Sequence, residues 1–431
     1  MNIPLLVFIS CFILTFILRI PIALGMLMSS IYYFVLAPGP ATGVQMAATQ
    51  LLTNLNVSFI LIAVPLFVFT AKVMNTGKVT EMVFKFANIL VGKWRGGMGH
   101  VNVIASLIFS GMTGSAIADA SGLGIMEIEA MRKQNYDDGF SCAITAASAT
   151  IGPIFPPSIP MVIYAMFSGA SIGKLFLGGM IPGILIAVTL MIYVAYISKK
   201  RNYPTGESYH FRELIKIIIN TFPALLTPVI LLGGIYSGIV TPTEAAALAG
   251  FYAMVISFFV YRAIGIKQLL EVIIDTVKTT GTLSLIVGAA FSFSYIVAIE
   301  HIPDILYGSL SVIIQNKYLM LLIINVVFLI LGMFVDTSCI QVVFVPMVLP
   351  LVEAMGIDLV HFGVVIVLNM MIGLSTPPFG MLLFIVSGIS GTPLKVIIKE
   401  IFPMLLVLIG VLFLITYIPE IVMFIPNTIW R

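Results

Sequence analysis

The residues able to do chemistry in this chain lie in two sets of short polar runs, 221 positions apart, within an otherwise apolar sequence. The first set is Ser110-Gly-Met-Thr-Gly-Ser-Ala-Ile-Ala-Asp119 followed by Ile151-Gly-Pro-Ile-Phe-Pro-Pro-Ser158. The second is Gly332-Met-Phe-Val-Asp-Thr-Ser338 followed by Gly373-Leu-Ser-Thr-Pro-Pro-Phe-Gly380. The Gly-Met pairs at 111 and 332, the Ile-Gly pairs at 151 and 372, and the Pro-Pro pairs at 156 and 377 all keep the 221-residue offset. Small residues let a backbone turn sharply, and proline frees the carbonyl four residues earlier in a helix. Freed carbonyls, with the hydroxyls of Thr113 and Ser115, are hard oxygen ligands for a cation such as Na⁺, while a half-helix N-terminus holds an anion. Glycine and proline also serve plain packing in membrane helices. Four interruptions in register across two halves point instead to a transport site.

Two carboxylates lie in these runs. For Asp119 and Asp336 both a helix-capping role and direct ion coordination are open, since an intramembrane carboxylate is functional by default. A catalytic pair of these two, as in an intramembrane aspartyl protease, is a rival reading without the sequence context such enzymes carry. Thr241-Pro-Thr-Glu244 opens a helix that Thr241 or Thr243 would cap, and Glu244 in its first turn complements the dipole, a structural role favoured over a substrate contact. Cys11, Cys142 and Cys339 lie far apart in apolar segments and read as buried small side chains. His100, His210, His301 and His361 share no ligand spacing and read as surface or interfacial residues. No phosphate-cradling G-x-x-x-x-G-K-[ST] loop is present, so ATP hydrolysis is not expected of this chain.

The elements that must hold these runs are membrane helices. Of 431 residues, 60% are hydrophobic and 9% charged, against about 25% charged in a soluble domain. The net charge of +3 is spread among loops and offers no face for nucleic acid. The first apolar stretch lacks a basic flank and a cleavage site and is expected to be a retained span. Crossings are predicted at roughly 3–18, 20–37, 57–75, 139–168, 174–198, 220–240, 242–262, 281–299, 360–390 and 401–425, with interfacial helices near 79–92, 207–218 and 304–316. Residues 96–131 are flanked by Lys93 and Arg95 and by Arg132 and Lys133, so the segment enters from the cytoplasm and turns back. Residues 318–353 repeat that pattern with acidic flanks and are expected to enter from outside. Five of the predicted crossings separate these hairpins, an odd number, so the repeats are expected to be inverted and both termini outside. The fold class is an all-α polytopic membrane protein with two re-entrant helical hairpins and two broken helices. The expected division is 1–95 scaffold, 96–173 first transport half, 174–317 scaffold, 318–392 second transport half, and 393–431 a C-terminal helix.

Gly111-Met-Thr-Gly-Ser-Ala-Ile-Ala-Asp119, Phe155-Pro-Pro-Ser-Ile-Pro-Met161, Thr241-Pro-Thr-Glu-Ala-Ala246 and Thr376-Pro-Pro-Phe-Gly380, in that order, resemble the hallmarks of the large membrane subunit of tripartite ATP-independent periplasmic (TRAP) transporters. The resemblance spans nearly the whole chain. It implies an inverted-repeat, elevator-type transporter of the bacterial inner membrane, importing an organic anion such as a dicarboxylate, sialic acid or other sugar acid together with Na⁺. It implies two partners, a small membrane subunit expected on a separate polypeptide and a periplasmic substrate-binding protein. Carried onto this sequence, one Na⁺ site would join Gly111, Thr113, Gly114 and Ser115 to Ile151, Gly152 and Pro153. A second would join Gly332, Asp336, Thr337 and Ser338 to Ser375, Thr376 and Pro377. The substrate carboxylate would meet Ser115, Ser158, Ser338 and Thr376, with Pro156 and Pro377 beside them. No Lys or Arg falls at either tip, so helix N-termini and Na⁺ would supply the positive potential. An ion antiporter or channel without a binding protein is the alternative.

Overall fold

In the computed structural model the described residues are 3–429, without 19, 38, 40–42, 58–61, 77, 207–210, 304, 306–307 and 309–315. Among them are 19 α-helices and no β-strand. Seven helices are long and apolar enough to cross a membrane. Helices α1 (Ile3–Ile17), α2 (Ile22–Leu36), α3 (Val44–Val57), α4 (Ala63–Thr76) and α5 (Val79–Val91) lead to the first hairpin, α6 (Gly97–Thr113) and α7 (Ala116–Lys133). A broken helix follows: α8 (Asp138–Ser148), a 3₁₀ turn at Ala149–Ile151, an irregular stretch, and α9 (Ile159–Ser168). Then come α10 (Ile172–Arg201), α11 (Phe211–Tyr236), α12 (Pro242–Val255) and α13 (Ile266–Ile299). The second half repeats the plan with hairpin arms α14 (Lys317–Phe334) and α15 (Thr337–Ala354) and broken-helix pieces α16 (Leu359–Leu374) and α17 (Met381–Ser390). Helices α18 (Leu394–Tyr417) and α19 (Pro419–Ile429) close the chain.

Several boundaries differ from the sequence reading. Helix α3 was not expected; its run of Gln, Thr and Asn among apolar residues is too polar to read as a span. The interfacial segment expected at 207–218 is, where described, the start of α11, because nothing breaks the helix before Pro223. Helix α13 runs 34 residues, well beyond the expected 281–299. Its polar first turns are continuous with the span, and Gln268 Oε1 caps them by accepting from the Gly265 N–H at 2.8 Å. The expected crossing at 401–425 divides where Pro419, lacking an N–H, starts a new helix. The interfacial segment expected near 304–316 lies mostly outside the described residues. Two of the four histidines are buried rather than interfacial: His361 Nε2 meets the Ile415 carbonyl at 2.8 Å, and His100 packs edge-on against Trp94. His210 lies outside the described residues.

Two apolar clusters hold the helices together. One joins α1, α2, α3 and α13 through Phe8, Phe12, Tyr33, Phe34, Ala47 and Phe293, with Phe8 and Phe293 ring centroids 4.6 Å apart. It reaches the site helices through Ile163, Met166 and Phe167 of α9 and Val342, Val343 and Phe344 of α15. The larger cluster contains both hairpins, both broken helices and the helices around them. In lipid such contacts stabilise by close packing rather than by removing apolar surface from water.

A polar clamp ties one end of the molecule. Arg201, in the last turn of α10, donates to Asp137 Oδ2 at 2.9 Å and to both oxygens of Glu400 in α18, at 2.9 and 2.8 Å. Arg132, in the last turn of α7, donates to Asp138 at 2.7 Å and to the Ser390 carbonyl of α17 at 2.7 Å. Both cations also complement the C-terminal ends of their own helices. Through Asp137, at the start of α8, helices α10 and α18, expected with the scaffold segments, are thus fastened to the first broken helix, while Arg132 ties the hairpin to the second. Arg201→Ala should lower stability by about 1–3 kcal/mol, the range for charged hydrogen bonds left half-made. Thermal unfolding of the purified protein in detergent measures this, and Arg201→Lys, which loses the bidentate geometry, should fall between.

Candidate functional site

The first hairpin turns at Gly114, whose φ of +60° suits glycine. A Cβ there would stand 2.5 Å from the Pro157 carbonyl oxygen, so the tip can approach the break only without a side chain. Ser115 caps α7, accepting from the Ala118 N–H at 3.3 Å. The tip and its own break are joined directly, because the Ile159 N–H donates to the Gly114 carbonyl at 3.3 Å. In the second half the Gly380 N–H donates to the Met333 carbonyl at 3.3 Å. Residues 159 and 380 are themselves 221 apart. Asp336 caps α15 by accepting from the Ser338 N–H at 2.9 Å. Gly332 and Gly373 cross backbone against backbone: a Cβ on Gly373 would lie 2.6 Å from the Gly332 Cα. Both Pro-Pro bonds, 156–157 and 377–378, are cis.

One cavity of about 520 Å³ gathers both tips. Thr113, Gly114 and Ser115 line it from the first hairpin, Asp336, Thr337 and Ser338 from the second, and Pro153 from the first break. The other predicted site residues stand behind this lining. Ser158 is fully buried, and its hydroxyl donates to the Pro153 carbonyl while accepting from the Met161 N–H at 3.1 Å, so it organises the break. Thr376 is half-buried and donates to the Ile372 carbonyl at 2.6 Å. Ser375 donates to the Ala146 carbonyl at 3.2 Å and so bridges the two broken helices. Gly111, Ile151 and Gly152 are buried beneath the first tip, as Gly332 is beneath the second. Pro156 is buried and Pro377 half-buried, each in its own break. Thr241 and Glu244 form a reciprocal capping box away from the cavity, with the Thr241 N–H donating to Glu244 Oε2 at 2.8 Å.

Asp119 is buried inside the first hairpin rather than on the cavity that Asp336 lines. Neither of its carboxylate oxygens has a hydrogen-bond partner among the described residues. The proposed pairing of these two aspartates is therefore not built. Nearby, the Asn102 amide donates to Glu127 and to Thr145, both at 2.7 Å, and accepts from Ser148 at 2.7 Å. In the second half the Asn369 amide donates to the Asn325 side chain at 2.8 Å. Ser148 and Asn369 are again 221 apart, so in each half an asparagine on the hairpin's first arm is bonded to the same place on the broken helix. Sequence reasoning missed these locks, since single polar residues in apolar helices form no local motif.

It also missed Lys72 of α4 and Thr279 and Thr282 of α13, which line the cavity opposite the tips. A signal for Lys72 existed, because it is the one charged residue in the predicted 57–75 span.

Hairpin, broken helix and cavity, each duplicated or shared between the halves, form the plan of a transporter. The family model for the DctM component of tripartite ATP-independent periplasmic transporters matches residues 9–421. The chain belongs to this family. It is a TRAP large permease, a multi-pass membrane component of a three-part importer and not an enzyme. The sialic acid TRAP transporter large permease protein SiaM of Vibrio cholerae is 42% identical over 407 residues, covering 94% of this chain and 95% of that protein. The C4-dicarboxylate TRAP transporter large permease protein DctM of Pseudomonas aeruginosa is 35% identical, with 86% of each chain covered. Among solved structures, the Alcanivorax borkumensis YdaH transporter, described as having an unusual topology, matches with a TM-score of 0.67 at 12% identity, over 92% of this chain and 97% of that one. That likeness shows a shared fold.

The Gly332–Gly373 crossing of this TRAP permease carries a prediction. Gly373→Ala forces backbone apart, and overpacking of this kind costs about 1–3 kcal/mol. Binding and uptake should fall while the protein still reaches the membrane. Gly410→Ala, in helix α18 with no atom within 4 Å of its Cβ, should behave as wild type in the same uptake assay.

Proposed function

We propose that this permease imports an organic anion in symport with Na⁺ by an elevator movement of the hairpins and broken helices. The observation that carries the reading is the convergence of both hairpin tips on one cavity, with each tip bonded to its own break. The lining offers hydroxyls and backbone carbonyls, the ligand type a hard cation takes. Thr337 Oγ1 supports a cation at the second tip, since it is buried with no hydrogen-bond partner among the described residues. In the first half the Ser115 carbonyl faces Gly152, 3.5 Å from where a Cβ would stand, which fits a tip-to-break ion. The two Na⁺ sites are accordingly Thr113, Gly114 and Ser115 with the first break, and Asp336, Thr337 and Ser338 with the second.

The substrate carboxylate lies between the tips, with Ser115 and Ser338 as hydroxyl contacts. The mobile unit comprises both hairpins and both broken helices, and the Arg201 and Arg132 clamp favours adding α10 and α18 to it. The remaining helices and the small subunit form the fixed scaffold. Both termini face the periplasm, and the Lys- and Arg-rich base of the first hairpin faces the cytoplasm. Sialic acid is the first substrate to test, because the SiaM relative is 42% identical; a C4-dicarboxylate is the second.

The decisive experiment is uptake of labelled sialic acid and labelled succinate into proteoliposomes holding this chain and its small subunit. Cognate binding protein and an inward Na⁺ gradient are each supplied or withheld. Uptake of one anion only when both are present is expected. Uptake with Na⁺ but no binding protein would remove the three-part mechanism, and uptake indifferent to Na⁺ would remove the symport. Ser115→Ala and Asp336→Ala should each raise the Na⁺ concentration for half-maximal uptake about tenfold, the scale of one lost ligand at ~1.4 kcal/mol. Unchanged Na⁺ titration curves would refute those two assignments.

A further inference from the structure

The cavity carries a positive charge that neither tip supplies. Lys72 is the one cationic residue in its lining among the described residues, and Asp336 is the one carboxylate. The Lys72 ammonium donates to the Asp275 backbone carbonyl at 2.9 Å and to the Thr279 hydroxyl at 3.0 Å. Both partners are neutral. An ammonium has three N–H donors, and the third has no partner among the described residues. Among the described residues no carboxylate comes within ion-pair distance of Lys72, and the Asp275 side chain turns instead to Lys278 at 3.9 Å. A lysine held by two neutral oxygens on the wall of a half-open cavity has no protein anion beside it and is placed to meet one that enters.

Its position in the fold gives that charge a direction. Lys72 belongs to α4, which packs on α12 and α13, and Thr279 belongs to α13. These helices lie outside the proposed mobile unit. Lys72 is also near the C-terminal end of α4, next to the first hairpin's second arm: a Cβ on Gly122 of that arm would touch Asn75. With the N-terminus outside, α4 is the third crossing and runs inward, so Lys72, four residues from its end at Thr76, stands toward the cytoplasmic end of that helix.

We propose that Lys72 is a fixed scaffold cation that holds the substrate's carboxylate in the state shown and is left behind when the hairpins move. Its contribution to affinity is then confined to one face of the membrane, the cytoplasmic face in the orientation given above. Hydroxyls and Na⁺ at the tips travel with the anion, whereas Lys72 meets it at one end of the movement only. The anion is drawn off the tips toward the exit by a charge that the outward position lacks. This rests on the proposed anion transport and mobile unit, but not on Na⁺ as the driving ion.

The test is solute counterflow in proteoliposomes of defined orientation, with the cognate binding protein outside and equal Na⁺ on both sides, so that no gradient is needed. Labelled sialic acid is the probe, or labelled succinate if that is the anion the wild type exchanges. Lys72→Gln should raise the half-saturating concentration of cytoplasmic-side anion about tenfold, the scale of one charge-assisted hydrogen bond. The Na⁺ half-saturation should stay within about twofold, which separates Lys72 from the ion ligands. Lys72→Arg, retaining charge and donors, should recover most of the loss. An unchanged cytoplasmic half-saturation in Lys72→Gln would overturn the proposal and leave the residue as a helix-end lysine reaching polar surroundings. A fall in maximal rate alone, shared by Lys72→Arg, would overturn it in favour of a packing role. Absence of Na⁺ dependence in wild-type uptake would strike the symport reading and leave this comparison intact.

Discussion

Backbone polar groups inside a bilayer have no water to turn to, and each left unpaired costs several kcal/mol. Everything at the centre of this permease follows from that constraint. Two hairpins and two broken helices open their helical ladders where water is scarce, and the exposed groups must find protein partners. The bonds from the Ile159 N–H to the Gly114 carbonyl and from the Gly380 N–H to the Met333 carbonyl supply them. Each fastens a tip to the break of its own half, so the two irregular stretches satisfy one another. The side-chain caps of Ser115, Ser158 and Asp336 complete the same task at the adjoining helix starts.

The halves repeat a plan without repeating its details. In the first half the break from Ile151 to Ser158 is largely buried, and Gly114 sits against the Pro157 carbonyl. In the second, Pro378 and Phe379 are exposed and the closest approach is Gly332 on Gly373. The polar locks differ likewise: Asn102 engages Glu127, Thr145 and Ser148, whereas Asn325 engages Asn369 and Thr416. An inverted repeat held in a single conformation must look asymmetric, because the two halves face opposite sides of one cavity. The buried first break and open second break are that asymmetry in residues.

The interruptions were legible because glycine, proline and capping residues act within a few positions of themselves. Gly114, Pro156–Pro157, Pro377–Pro378 and the Thr241–Glu244 box sit where local rules put them. The 221-residue offset turned four weak motifs into one strong reading. Helix lengths were less legible. Apolarity marks what a bilayer covers, and α13 continues past the lipid-like stretch through Glu271, Asp275 and Lys278. Helix α3 escaped for the same reason. The burial of His100 and His361 was invisible, because one polar side chain does not announce which neighbour will satisfy it.

The sequence by itself determined the membrane class, the duplicated hairpin-and-break plan and the family, since composition, short-range stereochemistry and a constant offset are all properties of the chain read in order. Only the tertiary structure decided which capping hydroxyl also lines the cavity, a distinction that separates Ser115 from the buried Ser158. It alone brought Lys72 and Thr279 from helices some 200 residues apart to the site that the tips occupy. A cation's worth depends on what stands within a few ångströms of it, and that is fixed by helix packing, which no local stretch of sequence encodes.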